Sequence, residues 1–391
     1  MDKAHYQTTR NALQRSPGGR QRFEAAVVRL PAEDVTDLAF ARIAKQEDGS
    51  CVFLDPQRLC SLQKAYGSQI LCNTCAIFPR SSARFGDVLE TTATASCPEV
   101  ARLLLLAEDS MVLEELEPSR AGRTLELQVA RRDEPDPYVA ALDLVREVML
   151  GLLRLTDLPF PNRQFLTLYL GERTRATFHQ EAHPDAIAQL NHELEGWSQP
   201  GRFQALAEMY DQLTAEAPDA PVAARVLLEL LVPLLPSVAG TQLHTWIVEV
   251  CMGRHDAPPT TIHLDVPSFY ARHRERVALL TPETTALLDR ALTNYAQNYW
   301  FKEWYLSSPD LFIHGRRLLI RAALLRLFLL GHPDFPAAAS DPDRFRLLIV
   351  ALFYRFVRAI EHNSTLLVGI EEQLDRQGVR TLAHLVFLIQ I

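Results

Sequence analysis

Five of the chain's six cysteines fall between residues 51 and 97, and this clustering constrains the fold more than any other feature of the 391 residues. Cys51, Cys60, Cys72, Cys75 and Cys97 follow the pattern C-x8-C-x11-C-x2-C-x21-C, while Cys251 stands alone. The first thirty residues carry no apolar leader, and no apolar run is long enough to cross a bilayer, so a cytoplasmic protein is expected. In that compartment thiols stay reduced, and a cluster of them points to metal rather than disulfides. Cys72-Asn-Thr-Cys75 is a tight knuckle that turns two sulfurs toward one point. Asp55-Pro56 is a turn signal between Cys51 and Cys60, which predicts a small hairpin joining their ends. Cys97 precedes Pro98-Glu99, the first turn of a helix whose dipole favours a thiolate.

Such a set of thiolates suits tetrahedral zinc or an iron–sulfur cluster, and the ligand types do not separate the two. The 8- and 11-residue spacings depart from the usual zinc-finger arrangement and favour iron–sulfur. Core packing of free cysteines is the competing reading. Disulfide exchange is a weaker one, because the thioredoxin-like context is missing. Cys251, alone in the apolar stretch Ile247–Met252, reads as core.

The remainder is ordinary globular protein, 48% hydrophobic and 23% charged. A net charge of -8 argues against a nucleic-acid partner. Only Lys3, Lys45, Lys64 and Lys302 supply lysine among 40 basic residues, a skew that fits coding bias and carries no functional information. The pattern predicts a mostly α protein in two parts. Residues 1–130 form an N-terminal region with a cysteine-rich metal or iron–sulfur module at 46–108, and residues 131–391 form a multi-helix domain. Amphipathic periodicity marks helices over 138–155, 162–172, 185–195, 202–216, 219–232, 240–252, 282–306, 315–330, 343–362 and 366–389. Thr281-Pro282 is a helix start, Glu134–Pro137 a linker, and 124–129 an isolated strand. Dinucleotide, P-loop, zincin and hydrolase motifs are absent. His179 and His183 are four apart but precede Pro184, and read as surface.

Within the 282–306 helix, Tyr295, Tyr299, Trp300 and Trp304 form an aromatic stripe beside Asn294 and Asn298. Rings at this spacing are usually core, yet a lysine or a sulfonium could rest on them by cation–π attraction. The two asparagines would need partners if buried. Glu361-His362-Asn363 ends an apolar helix, either as a cap with solvated charges or as the wall of a pocket.

The stretch CVFLDPQRLC, followed by GSQILCNTCAIFPR and SCPEVARLLL, resembles the flagellin lysine-N-methylase (FliB-like) family. Cys51, Phe53, Leu54, Asp55, Leu59 and Cys60 match that family's C-P-F-L-D-x-x-x-L-C segment. Gly67, Leu71, Cys72, Thr74, Cys75, Phe78, Pro79 and Arg80 match L-G-x-x-x-L-C-x-T-C-x-x-[FY]-P-R. Ser96, Cys97, Pro98, Glu99, Ala101 and Arg102 match the third, and Asn294–Lys302 looks like the N-Y-x-x-N-Y-x-F-K helix. The resemblance implies methyl transfer from S-adenosylmethionine to lysines of flagellin, with a cysteine-bound iron–sulfur cluster, 4Fe-4S in type, at Cys51, Cys60, Cys72, Cys75 and Cys97. For such a reaction Asn294, Tyr295, Asn298 and Tyr299, on and beside the aromatic stripe, are the candidate catalytic residues. Family members carry further cysteines ahead of an I-D-x-x-T-Y segment, whose counterpart here is Met1–Tyr6, so the chain reads as either shortened or begun too far downstream. The competing functional reading is a non-enzymatic metal scaffold, or a redox protein, that binds a partner protein.

Overall fold

Apolar residues recur every three or four positions through most of the chain, and a computed structural model shows them wound into helices. It describes residues 1–85, 87–117, 126–130, 142–179, 184–197, 201–215, 220–240, 242–252, 265–303, 308–361 and 364–389. Two compact units result. One comprises Met1–Arg84, Leu89–Ala93 and Glu115–Gln128; the other comprises Phe85–Val88, Thr94–Glu114 and Val129–Ile391.

The first unit is built from short pieces. Helices Lys3–Gln14 and Gly19–Ala26 pack together, turned by Gly18 at φ 69°. Strands Val27–Arg29 and Ala41–Ile43 pair antiparallel, with Val28 opposite Arg42. Helices Ser61–Tyr66 and Asn73–Ile77 follow. A three-stranded sheet has the order Val88–Ala93, Arg80–Phe85, Glu126–Ala130. The core gathers Leu13, Phe23, Val27, Phe40, Phe53, Leu62 and Ile70, with Cys51 and Cys60 packed against it. Tyr6 meets Phe23 and Phe40 edge-on, at 5.1 and 5.0 Å. The small strands at 27–29 and 41–43 were not expected, being too short for a period-2 signal.

The second unit is helical. Helix Leu311–Gly331 packs along Phe160–His179, and Gly171 permits the approach: a Cβ there would lie 2.9 Å from the Phe312 backbone. Helix Pro282–Lys302 packs against Pro98–Leu106, Leu142–Leu153 and Pro342–Phe356. Its start carries the expected cap, in which Thr281 accepts the Thr284 N–H and Thr284 Oγ1 accepts that of Thr281.

The structure differs from the sequence pattern in several places. Helix Pro98–Leu106, with Cys97 at its start, belongs to the helical unit rather than to a 46–108 module. Helix Val266–Val277 lies in a stretch where the periodicity marked no helix; Asp265 caps it by accepting the Ser268 N–H at 3.1 Å. The 366–389 stretch divides into Ser364–Arg376 and Leu382–Ile389, with Gly378 at φ 74° between them. The α-helix expected to reach residue 362 ends at Phe356 and continues as a π-helical turn, Val357–Glu361. The Glu134–Pro137 linker lies outside the described residues. Among the described residues no helix is long and apolar enough to cross a membrane.

Candidate functional site

The small unit gathers four of the five clustered cysteines. The expected hairpin is present: Asp55 N–H donates to the Leu59 carbonyl at 2.9 Å, Arg58 N–H to that of Asp55 at 2.8 Å, and Leu54 bridges to Cys60. Lys64 clamps the turn through Asp55 Oδ2 at 2.6 Å. Cys60 and Cys72 each precede a short helix. The Cys75 thiol and backbone N–H both donate toward Cys72, which pulls the buried Cys72 thiol down to about 6 against the effect of burial. Cys75 is pushed well up, first by giving its proton to that hydrogen bond, then by burial and the charges at Cys72, Cys51 and Cys60. The pair therefore parts with one proton easily and holds the other.

Metal ligation goes only part of the way. Cys51 and Cys60 stand within electrostatic reach of Cys75, yet among the described residues no group of three or more His, Cys, Asp or Glu closes about one point. Cys97 sits in the helical unit as the N-cap of Pro98–Leu106. The Cys251 side chain, His183, Trp304, His362 and Asn363 lie outside the described residues.

In the helical unit, helix Pro282–Lys302 presents two different polar faces. On one, Tyr295 and Tyr299 are buried, as is the Glu361 side chain. Tyr295 Oη donates to Glu361 Oε1 at 2.6 Å, and Lys302 Nζ donates to Glu361 Oε2 at 2.7 Å. The π-helical turn is what places the Glu361 carboxylate there. Burial pushes Glu361 up, but Lys302 and Arg321 outweigh it and hold the carboxylate below its ordinary range. Burial pulls Lys302 down, and the Glu361 and Glu303 carboxylates more than restore its charge. Both phenols move the other way: burial lifts Tyr295 well above its ordinary value and Tyr299 to about 12.

The Arg321 guanidinium lies 4.9 Å above the Tyr299 ring. The Tyr299 ring is thus already faced by a cation of the chain's own. His314 stacks against Tyr299 and Trp300 at 4.7 and 4.5 Å and meets Ser308 Oγ through Nδ1 at 3.0 Å. Burial, with Arg321 and Arg317 beside it, holds His314 neutral.

On the other face, Asn294 and Gln297 are buried beneath a groove of about 1330 Å³. Asn294 Nδ2 donates to the carbonyls of Ala107 at 2.9 Å and Leu105 at 3.3 Å, which ties the helix to the end of Pro98–Leu106. Gln297 Oε1 accepts from Arg154 Nε at 3.1 Å. Asp289 Oδ1 accepts the Phe160 N–H at 2.6 Å, and its other oxygen pairs with the wholly buried Arg163. One carboxylate thus caps a neighbouring helix and neutralises a buried cation. Asn298 is buried and has a partner. The four residues singled out on this helix, Asn294, Tyr295, Asn298 and Tyr299, are therefore all buried and all engaged within the protein.

Sequence reasoning missed Glu361 as a partner of Tyr295, and it missed Arg321, His314 and the groove. A signal existed for Arg321 alone: charges at Arg316, Arg317 and Arg321 interrupt an otherwise apolar helical run, and such charges need buried partners. The groove had none, because residues distant in sequence line it.

Residues 146–388, more than half of the chain, match the family described as the FliB lysine N-methylase C-terminal domain. Relatives include a lysine-N-methylase of Salmonella typhimurium, 37% identical over 67 residues that make up 17% of each chain. Another is the flagellar biosynthetic protein FliU of Salmonella muenchen, 37% identical over 67 residues, 17% of this chain and 40% of that one. These alignments span less than two thirds of either relative. No solved structure matches the chain.

Proposed function

Because the chain belongs to the FliB lysine N-methylase family, as the match over residues 146–388 establishes, we propose that it transfers methyl groups from S-adenosylmethionine to lysine side chains of flagellin. The match carries the methylation, and the flagellar name of a relative supports the substrate. S-adenosylmethionine supplies an activated methyl on a sulfonium. A neutral lysine amine attacks that carbon, the new C–N bond replaces the C–S bond, and the bonding pair leaves on sulfur. The amine has an ordinary pKa near 10.4, so a proton must first leave it.

The buried network is a poor receiver for that proton. Tyr295 and Tyr299 are held neutral, and Glu361 already accepts from Tyr295 and Lys302. Their role is to hold the helix and its neighbours in place. Proton release falls to water or to a carboxylate that faces solvent. Asn294 and Asn298 serve positioning on the same helix.

The thiol set of the small unit has the chemistry for an iron–sulfur cluster or zinc, with Cys51, Cys60, Cys72 and Cys75 as the ligands that would hold it and Cys97 as the outlying candidate. Such a group would cross-link loops that share a thin core.

The test is the intact mass of flagellin from the source bacterium with this gene present and deleted. Loss of methyl-sized increments on deletion is the expected result. An unchanged mass would remove flagellin as substrate and bring forward the metal-scaffold or redox reading.

A further inference from the structure

We infer that the groove over Asn294 and Gln297 is the docking site for an extended, lysine-bearing segment of the protein substrate, with Asp109 and Asp157 as the carboxylates that receive the lysine ammonium. This rests on the methyltransferase reading and adds to it a place for the acceptor.

Three observations lead there. The first is size: about 1330 Å³ exceeds the few hundred Å³ that suffice for a compact small-molecule pocket. The second is charge. Four carboxylates line the groove, Glu108, Asp109, Asp157 and Asp289, against Arg154 and Arg290. Asp289 is committed to the buried Arg163, and Glu108 pairs with Arg290 at 3.1 Å. Arg154 turns to Gln297 and to the Met111 carbonyl. Asp109 and Asp157 are exposed, and among the described residues no base pairs with them. Lysine is the complement of such a surface.

The third is the wall. Val112 and Leu113 are 67% and 61% exposed, and both line the groove together with Met111 and Leu158. Apolar side chains left open beside unpaired carboxylates suit the methylene stem of a lysine and the apolar residues around it. No aromatic ring lines the groove among the described residues. A nucleoside would find nothing there to stack on, which favours the peptide over the methyl donor as occupant.

The test uses the full chain and flagellin purified from a strain lacking this gene. Zero-length carbodiimide cross-linking joins a carboxylate to an amine only at contact. The expected products link flagellin lysines to Asp109 or Asp157. The double variant Asp109→Asn/Asp157→Asn should bind flagellin roughly tenfold more weakly, the factor that corresponds to two exposed ion pairs. It should raise KM for flagellin while leaving KM for S-adenosylmethionine unchanged. Thr285→Trp, which fills the groove without touching its charge, should weaken flagellin binding as well; Glu208→Gln, exposed on a helix that contributes no residue to the groove lining, should not.

If the wild type methylates flagellin while its cross-links fall elsewhere and both groove variants bind normally, the docking site is wrong and the function stands. Cross-links confined to this chain's own lysines, or loss of S-adenosylmethionine binding in the variants, would also overturn it by naming another occupant. If the wild type neither binds nor methylates flagellin, both readings fall together.

Discussion

The two compact units solve the same folding problem with different means. The helical unit has helices of 20 and 21 residues and enough core to bury Arg163, Lys302, Arg321 and Glu361. The cysteine unit has helices of 12 and 8 residues, then helices of six and five where its cysteines sit, and strands of three to six, pieces too short to hold their shape alone. Length of element decides what each can tolerate. A long-helix core can carry ionic groups inside if every one is paired. A thin core would gain most from cross-links, and the metal proposed at its cysteines would supply them.

The largest expected effect lies in the thin unit. If the cysteines hold the metal proposed above, Cys72→Ser or Cys75→Ser should remove it and loosen that unit while the helices keep their melting transition. Metal analysis paired with limited proteolysis reads both, and unchanged metal with unchanged cleavage in both variants would sink the ligand assignment. Next comes the buried network. Glu361→Leu leaves Lys302 and Arg321 with only the half-exposed Glu303 and removes the acceptor of Tyr295, and should cost about 3 kcal/mol in chemical denaturation. If that loss appeared equally in the cysteine unit, the two would not be independent.

A pH effect sharpens the contrast further. Burial, with Arg326 and Arg276 nearby, lowers His273 to about 4 from 6.5, and His314 is lowered as well. The unfolded chain takes up protons at these rings before the folded one does. Stability from this source is therefore complete above pH 6.5 and lost as the pH falls toward 4, by about 3 kcal/mol for His273 at 1.36 kcal/mol per unit. His273→Phe should flatten that slope in a melting series from pH 7 to 4. The smallest effect is Asn294→Ala, which removes the donor to Leu105 and Ala107 and should cost about 1–2 kcal/mol by the same melting measurement.

The sequence was most readable where structure repeats. The 3.6-residue period located most helices of the larger unit, and Thr281-Pro282 marked a start that the structure keeps. Val266–Val277 escaped because Pro267 looks like a breaker from outside and like a first-turn residue from inside. Glu361 escaped for a different reason. Its position depends on a π turn, and neither Tyr295 nor Lys302, 66 and 59 residues away, can be assigned to it from spacing. In the cysteine unit the knuckle and the Asp55 turn were legible, since both are local. The membership of Cys97 in the other unit was not, because it depends on how helix Pro98–Leu106 packs against Pro282–Lys302.

Lys302 is the single lysine of the helical unit, and its ammonium is buried and held between Glu361 and Glu303. An amine kept protonated and sealed from solvent is no nucleophile. A protein proposed to alkylate lysine thus presents none of its own reactive amines on this unit. In any assay that counts methyl groups, the unit is its own blank, so a methyl found there would report unfolding rather than turnover.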